Sequence, residues 1–508
     1  MPTLPALRAT TDDPLASRTA ALAVPVFKGD IEAPGAEAAL RAVGLDGVPR
    51  DADFTGALGD VRSLAAPGLG VQRLVLIGLG RMDALSDEAL RRAGGALTRA
   101  IGAEVDDITT TLPLVHPTDD AFRAVAEGLL LGAYRYQGHR RSRPPRLRRV
   151  DLAVPSAFSD DVTNLLRRAE VHAAAQCTAR DLVNTPAGEL GPDDLARRAA
   201  EAAGATCDVE IWDETRLEQE RCGGILAVGQ GAERPPRLLI LRYQPDGAVA
   251  RIALVGKGIV FDTGGLNLKR PADRMPAMKA DMAGAAAVIA TCAALAELDV
   301  AVEVLGVCAL AENAVSGRAQ RPGDVVATRD GTTVEVLDTD AEGRVVLADA
   351  LAYAVEHDPE GLVDVATLTG AAAHAVGRRA IAAFGDDEDL VRQLLAAAQA
   401  AGEATWRLPM WAELEDNLDS EVADLNNTGD GEHDDRAGAT MGALFLRRFV
   451  RGVPWVHLDM PSAWAETARY HLPQGGTGTG VRTLLRWLEL ASPVRPAPSR
   501  HAPGSARR

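Results

Sequence analysis

The chain has 508 residues, too many for one ordinary hydrophobic core, so two domains are expected. Apolar residues make up 47% and charged residues 25%, the balance of a globular chain rather than a disordered one. A formal net charge of −17 argues against general binding to nucleic acid or anionic membranes, since either needs a basic face.

The N-terminal stretch 1–17 carries Asp12 and Asp13 and no continuous apolar run, so no secretory signal is expected. Residues 71–78 read as a strand and 86–101 as a helix that Ser86 can cap. A basic run at 140–149, read as a solvated loop, precedes a strand at 150–154. The pattern at 160–183 is helical and stops at Asn184-Thr185-Pro186, where the proline cannot continue it. Such a helix makes a natural bridge between domains. Strands at 238–241 and 252–255, a helix at 283–298 and a strand at 302–307 follow. A strand at 334–337, a helix at 344–356 and a strand at 362–366 continue the alternation, which points to a mainly parallel sheet covered by helices. The uncharged run 282–296 is shorter than the roughly 20 residues that span a bilayer and rich in alanine, so it reads as a buried helix. The tail 493–508 has the composition of a disordered segment. The expected division is an N-terminal α/β domain at 1–157, a linker helix at 158–186, a larger α/β domain at 187–492 and the tail. Five cysteines (Cys177, Cys207, Cys222, Cys292 and Cys308) show no CxxC spacing, so neither a disulfide framework nor a thiolate zinc site is expected, and a reducing cytoplasm fits.

Two segments concentrate chemistry. One runs Lys257-Gly-Ile-Val-Phe-Asp262, then Lys269, then Met278-Lys-Ala-Asp281; the other is Asp338-Thr-Asp340-Ala-Glu342-Gly-Arg344. Both follow apolar strand patterns, and ligands of open parallel sheets sit beyond the carboxyl ends of strands, so the two are expected to face one crevice. Several carboxylates left there without cations would repel one another and lose hydration. Divalent metals remove that cost, and an oxygen-rich donor set suits manganese, magnesium or carboxylate-held zinc. A buried lysine ligates a metal only when neutral, whereas one that keeps its proton stabilises a developing oxyanion. Spacing alone leaves open that Lys257 and Lys269 are simply ion-paired with their acidic neighbours.

These segments resemble the leucyl (cytosol) aminopeptidase family, clearly so from about residue 170 to 490. Arg180-Asp-Leu-Val-Asn-Thr-Pro186, Ala366-Thr-Leu-Thr-Gly-Ala371 and Trp455-Val-His-Leu-Asp459 extend the match. The resemblance implies a smaller N-terminal α/β domain joined by a long helix to a C-terminal catalytic α/β domain with a central, mainly parallel sheet. It implies removal of N-terminal residues from peptides, leucine and other apolar ones favoured, by a water activated between two divalent ions (Mn2+ or Zn2+). One ion would be held by Lys257, Asp262, Asp281 and Glu342, and the other by Asp262, Asp340 and Glu342. Lys269 would stabilise the tetrahedral intermediate and Arg344 would hold a bicarbonate. Met278, Thr367, Leu368 and Gly370, with Asp338 beside them, would line the substrate pocket. A cytoplasmic homohexamer is implied, without membrane association. Some members also bind DNA as regulators, which keeps a non-catalytic or DNA-binding hexamer as the alternative, although the acidic balance disfavours nucleic acid.

The sequence departs from the family in two places. Asp338 stands where the family usually has asparagine, placing an extra negative charge near the metals, and the segment between Lys269 and Asp281 is one residue longer. The acidic loop 428–436 is read as solvated, His374 as a surface histidine, His457 as a satisfied core histidine, and the glycine run 474–480 as a turn without phosphate binding.

Overall fold

A computed structural model describes residues 4–29, 33–139, 141, 147–158, 161–429 and 437–491. The tail at 493–508, the acidic residues 430–436 and most of the arginine-rich run at 140–149 lie outside the described residues, and with them the expectations placed there.

In the first domain, strands β1 (Ala6–Thr10), β2 (Ala21–Val26), β3 (Val61–Ala65), β4 (Arg73–Gly78), β5 (Asp107–Thr110) and β6 (Arg149–Ala153) form one sheet in the order β1-β6-β5-β2-β4-β3. Every neighbour is parallel except β3, an antiparallel edge against β4. Helices α1 (Ala36–Ala42), α2 (Asp87–Ile101) and α3 (Asp119–Ala133) lie on the connections. Ser86 caps α2 as its position predicts, its hydroxyl accepting from the Ala89 N–H at 3.2 Å. Helix α4 (Val162–Asn184) then leads out of the domain and ends two residues before Pro186.

The second domain opens with α5 (Pro192–Ala203), β7 (Asp208–Trp212), α6 (Glu214–Gln219), α7 (Gly223–Gly229), β8 (Arg237–Tyr243) and β9 (Arg251–Asp262). Next come α8 (Ala283–Ala294), β10 (Glu303–Asn313), β11 (Asp324–Ala327), β12 (Thr333–Val336), α9 (Glu342–Val355), β13 (Gly361–Ala366) and α10 (Gly370–Val376). The chain closes with β14 (Ile381–Gly385), α11 (Glu388–Ala401), β15 (Thr405–Arg407), β16 (Leu425–Asn426), α12 (Gly438–Arg447), β17 (Trp455–Asp459) and α13 (Val481–Ala491). Eight strands make a sheet in the order β15-β14-β17-β13-β9-β10-β8-β7, whose central four, β17, β13, β9 and β10, are parallel. Parallel strands are covered on both faces, which is why β13 and most of β9 are buried at successive residues. One face packs on α5, α8, α11 and α13, the other on α7, α9 and α12. The uncharged run becomes α8, almost wholly buried. With the 3-10 segment before it, this stretch is long and apolar enough to cross a membrane, but 78% of its apolar 18-residue window is buried inside the protein. Its small residues let it touch the sheet: a Cβ on Gly284 would stand 2.0 Å from the Val365 carbonyl oxygen.

Two expectations are corrected. The strand at 252–255 runs on to Asp262, so Lys257 lies within it rather than beyond its end. Gly256 and Gly258 do not break it, because both are close-approach positions, with a Cβ at Gly256 meeting Ala285 Cα at 2.7 Å and one at Gly258 meeting Leu310 Cδ2 at 2.4 Å. The strand at 334–337 belongs to a separate three-stranded sheet, β11-β12-β16, not to the central one.

The domains are tied by a buried charge cluster. Glu127 of α3 receives Arg91 Nε of α2 at 3.0 Å, Arg123 Nε at 3.3 Å and Arg482 Nη1 of α13 at 3.2 Å. Burial alone would push the Glu127 carboxyl up; the guanidinium groups of Arg91, Arg482 and Arg123 outweigh it and hold the carboxyl well below the ordinary range. A carboxyl whose folded-state pKa is depressed contributes stability that is fully present above its unfolded value of 4.5 and is lost as pH falls toward the folded value. Glu127→Gln is expected to lower unfolding stability by about 3 kcal/mol at pH 7, because it leaves buried arginines short of a counter-charge. The gap between variant and parent should narrow between pH 4.5 and pH 3 in denaturant titrations, and a gap independent of pH would contradict this role.

Candidate metal centre

The residues singled out from the sequence converge along the C-terminal half of β9 and beyond the carboxyl end of β13. Lys257 and Asp262 come from β9, and Lys269 from the loop after it. Met278 and Asp281 lie on a 3-10 segment, Ala272–Met282. Asp338 and Asp340 sit in the turn between β12 and α9, with Glu342 and Arg344 in the first turn of α9. Thr367 and Leu368 follow β13, and Gly370 opens α10. Although β12 is not part of the central sheet, the turn after it delivers its acids to the same crevice.

Ligand oxygens of Asp262, Asp340 and Glu342 all lie within 4.8 Å of one another. Lys257 Nζ stands 2.8 Å from Asp281 Oδ2 and 2.9 Å from Glu342 Oε1, and donates to the Thr367 carbonyl at 3.0 Å. Lys269 Nζ is 2.6 Å from Asp262 Oδ2 and 2.5 Å from Asp340 Oδ1. The arrangement is two adjoining nests, with Glu342 belonging to both.

Four carboxylates thus face two ammonium groups, and the electrostatics show the imbalance. Burial, then repulsion from Asp262 and Glu342, pushes Asp340 up to about 7. Burial and neighbouring carboxylates also raise Glu342, and raise Asp281 well above the ordinary range against the pull of Lys257. For Lys257, burial opposes the charge, but Asp281, Glu342 and Asp262 outweigh it and hold the ammonium above its usual value; Lys269 behaves alike. It is the unneutralised carboxylates that hold the proton on both lysines, and Lys257 must give its proton up to ligate a metal.

The comparisons with known proteins point one way. The catalytic-domain model of the cytosol aminopeptidase family matches residues 177–485, and the family's N-terminal-domain model matches residues 23–143. The chain belongs to the cytosol aminopeptidase family. A probable cytosol aminopeptidase of Micrococcus luteus is 47% identical over 452 residues, covering 83% of this chain and 86% of its own. One from Streptomyces griseus is 43% identical over 489 residues, covering 91% and 93%. Among solved structures, the bottromycin maturation enzyme BotP in complex with Mn superposes with a TM-score of 0.82 at 39% identity, over 93% of this chain and 99% of that one. Membership carries metal-dependent aminopeptidase activity, a hydrolase acting on peptides. It also extends the resemblance, which the motifs carried only from about residue 170, into the first domain.

The residues present fit the metals that the cytosol aminopeptidase family requires. Asp281 Oδ2 and Glu342 Oε1 are buried, and the one partner that each has is the Lys257 ammonium at 2.8 and 2.9 Å, so both oxygens already face a cation. The donors are carboxylate oxygens with one amine, the hard set that divalent ions prefer.

Several side chains that hold this centre carried no sequence signal of their own. Asn313 Nδ2 donates to Asp262 Oδ1 at 2.8 Å and to the Thr339 carbonyl at 3.0 Å. Asn427 accepts from the N–H groups of Leu337 and Asp338 and donates to the Asp338 carbonyl, fixing the turn that presents Asp340. Asp459 accepts from Leu368 N, Thr369 N and Thr369 Oγ1, pinning the segment after β13. Thr367 Oγ1 donates to Asp281 Oδ1 at 2.6 Å. Asp459 and Thr367 lay within quoted motifs, Thr367 as a pocket residue, whereas Asn313 and Asn427 lay in none. His374 is exposed as expected. His457 is buried but only half satisfied: Nδ1 meets Asp364 Oδ1 at 2.6 Å while Nε2 has no hydrogen bond.

Gly343 sits against Lys257, where a Cβ would stand 2.6 Å from Cε and 2.7 Å from Nζ. Gly343→Ala is expected to displace the Lys257 head group, cutting peptide hydrolysis roughly 100-fold and lowering bound metal while the circular dichroism spectrum is kept. Unchanged metal content and rate would show that this contact is dispensable.

Proposed function

We propose that the protein releases the N-terminal residue of peptides, leucine and other medium-sized apolar residues preferred, with two divalent ions, Mn2+ or Zn2+, per subunit. The observation that supports this reading most is the convergence of four carboxylates on two lysines with an excess of negative charge in a buried crevice. Lys257, Asp262, Asp281 and Glu342 would hold one ion, and Asp262, Asp340 and Glu342 the other. Ions bound there supply an acidified water and polarise the scissile carbonyl.

The chain's own residues do the rest. Lys269, 20% exposed and held charged between Asp262 and Asp340, presents an ammonium donor to the oxygen that gains charge as the carbonyl is attacked. Arg344 is 7% exposed in the first turn of α9, where a helix N-terminus adds positive potential, and this favours bicarbonate as a proton acceptor beside it. Met278, Thr367, Leu368 and Gly370 surround the side chain of the departing residue; a Cβ on Gly370 would meet nothing within 4 Å, so this position faces open space. A homohexamer in the cytoplasm rests on the family likeness, and five buried free cysteines suit a reducing compartment.

Asp338 bears on rate rather than on reaction type. Its Oδ1 accepts the Asp340 N–H at 2.8 Å, a task that an asparagine oxygen performs equally well. Asp338→Asn is therefore expected to leave kcat/KM within roughly threefold, below about 1 kcal/mol. A change of tenfold or more would show that its charge reaches the reacting groups.

Chelation is expected to abolish p-nitroaniline release from leucine p-nitroanilide, and Mn2+ or Zn2+ to restore it, with the N-acetylated substrate left intact throughout. Turnover by metal-free protein, or of the acetylated compound, would overturn the proposal.

A further inference from the structure

A second cavity, of about 300 Å³, opens where the two domains meet, and none of the acidic residues or lysines of the metal centre lines it. Its walls come from α2, from the turns after α10 and α11, and from the segment at 462–472. That segment is fixed by close approaches to the first domain. A Cβ on Gly95 would stand 2.5 Å from His471 Cβ, and one on Gly59 would stand 2.5 Å from Tyr470 Cε1. Tyr470 itself takes a left-handed φ of 52°, a strained conformation for a bulky residue, and its ring lies under the guanidinium groups of Arg469 at 4.7 Å and Arg92 at 5.7 Å.

The lining is cationic in a chain of net charge −17. Arg92 is neutralised by Glu88, and Arg482 by Glu127. Glu403 is occupied by Gly480 N, Thr483 N and Thr483 Oγ1. Among the described residues, Arg378, Arg379 and Arg469 have no carboxylate partner, against Glu466 as the one unpaired acid of the lining. Two polar atoms inside are also unmatched. Ser462 is 5% exposed and His471 is 4% exposed, and neither Ser462 Oγ nor His471 Nδ1 has a hydrogen bond. Burial, and then the charges of Arg482, Arg91, Arg180 and Arg92, hold the His471 imidazole well below its ordinary 6.5, so it stays neutral in a field that repels protons and attracts anions.

We propose that this interdomain cavity binds a small oxyanion of at least two negative charges, a phosphoryl or dicarboxylate group, with Arg378, Arg379 and Arg469 at the mouth and Ser462 Oγ and His471 Nδ1 as inner partners. Planar guanidinium forks pair bidentately with either group, which is why the two chemistries share the site. The occupant is not the peptide being cleaved, and the inference stands apart from the reading of the metal centre.

The test is calorimetric titration of the metal-loaded full chain with sulfate and, separately, with succinate at constant ionic strength. One saturable site per chain is expected, weakened at least about tenfold by the double change Arg378→Ala and Arg379→Ala. Ser462→Ala should weaken it at least about tenfold, the loss of one hydrogen bond to a charged group. Arg318→Ala, an exposed arginine outside the lining, should change nothing, and all variants should keep the parent melting temperature and hydrolysis rate. Binding of sulfate alone identifies a phosphoryl ligand, and of succinate alone a dicarboxylate. No saturable binding of either probe would overturn the proposal. Binding that the double variant leaves intact would do the same, since the anion would then sit outside this cavity.

Discussion

Mutual repulsion among four buried carboxylates is the constraint around which the catalytic half is arranged. Asp262, Asp281 and the neighbouring pair Asp340 and Glu342 come from three separate stretches of chain, and like charges in a low-dielectric crevice disfavour one another's ionisation. Two lysines neutralise part of that charge, and divalent ions suit the remainder. The surrounding packing follows from the need to hold these groups together. Glycines 256, 258, 284 and 343 clear the space through which β9 delivers Lys257, and Asn313, Asn427, Thr367 and Asp459 lock the turns by neutral or charge-assisted hydrogen bonds.

At the domain junction the same physics appears with the signs exchanged. The buried carboxylate of Glu127 is surrounded by Arg91, Arg123 and Arg482, with Glu489 2.9 Å from Arg123 as a second acid, and further guanidinium charge extends through Arg180 and Arg92 to His471. The molecule therefore carries one crevice that calls for cations and one that calls for anions. A net charge of −17 says nothing about either, because composition averages over the separation that folding creates.

Much of the fold was legible because its signals are local. Ser86 before an amphipathic run marked a helix start, Pro186 marked a helix end, and the alanine-rich run at 282–296 marked a buried helix. The strand through Lys257 was harder to read, since Gly256, Lys257 and Gly258 each weaken a strand assignment, and the compensating contacts with Ala285, Leu310 and the acids are distant in sequence. The membership of β12 in a side sheet was invisible for the same reason: its pairing partner Leu425–Asn426 lies some 90 residues on and is only two residues long. The candidate metal-centre residues were readable because their motifs resemble those of the cytosol aminopeptidase family; spacing alone left open that Lys257 and Lys269 were plain ion-pair partners. Asn313 and Asn427 were not, since a single asparagine has no pattern until its partners are seen.

The close fit between Gly95 and His471 has a consequence for how the two halves can vary. The first domain supplies a counter-charge for Arg482 and, at Gly59 and Gly95, the close-packed surface on which Tyr470 and His471 of the 462–472 segment rest. Catalytic-half fragments made by proteolysis or gene truncation would expose that segment and strand its arginines, so the two halves are expected to be inherited, expressed and degraded as one indivisible unit rather than exchanged as modules.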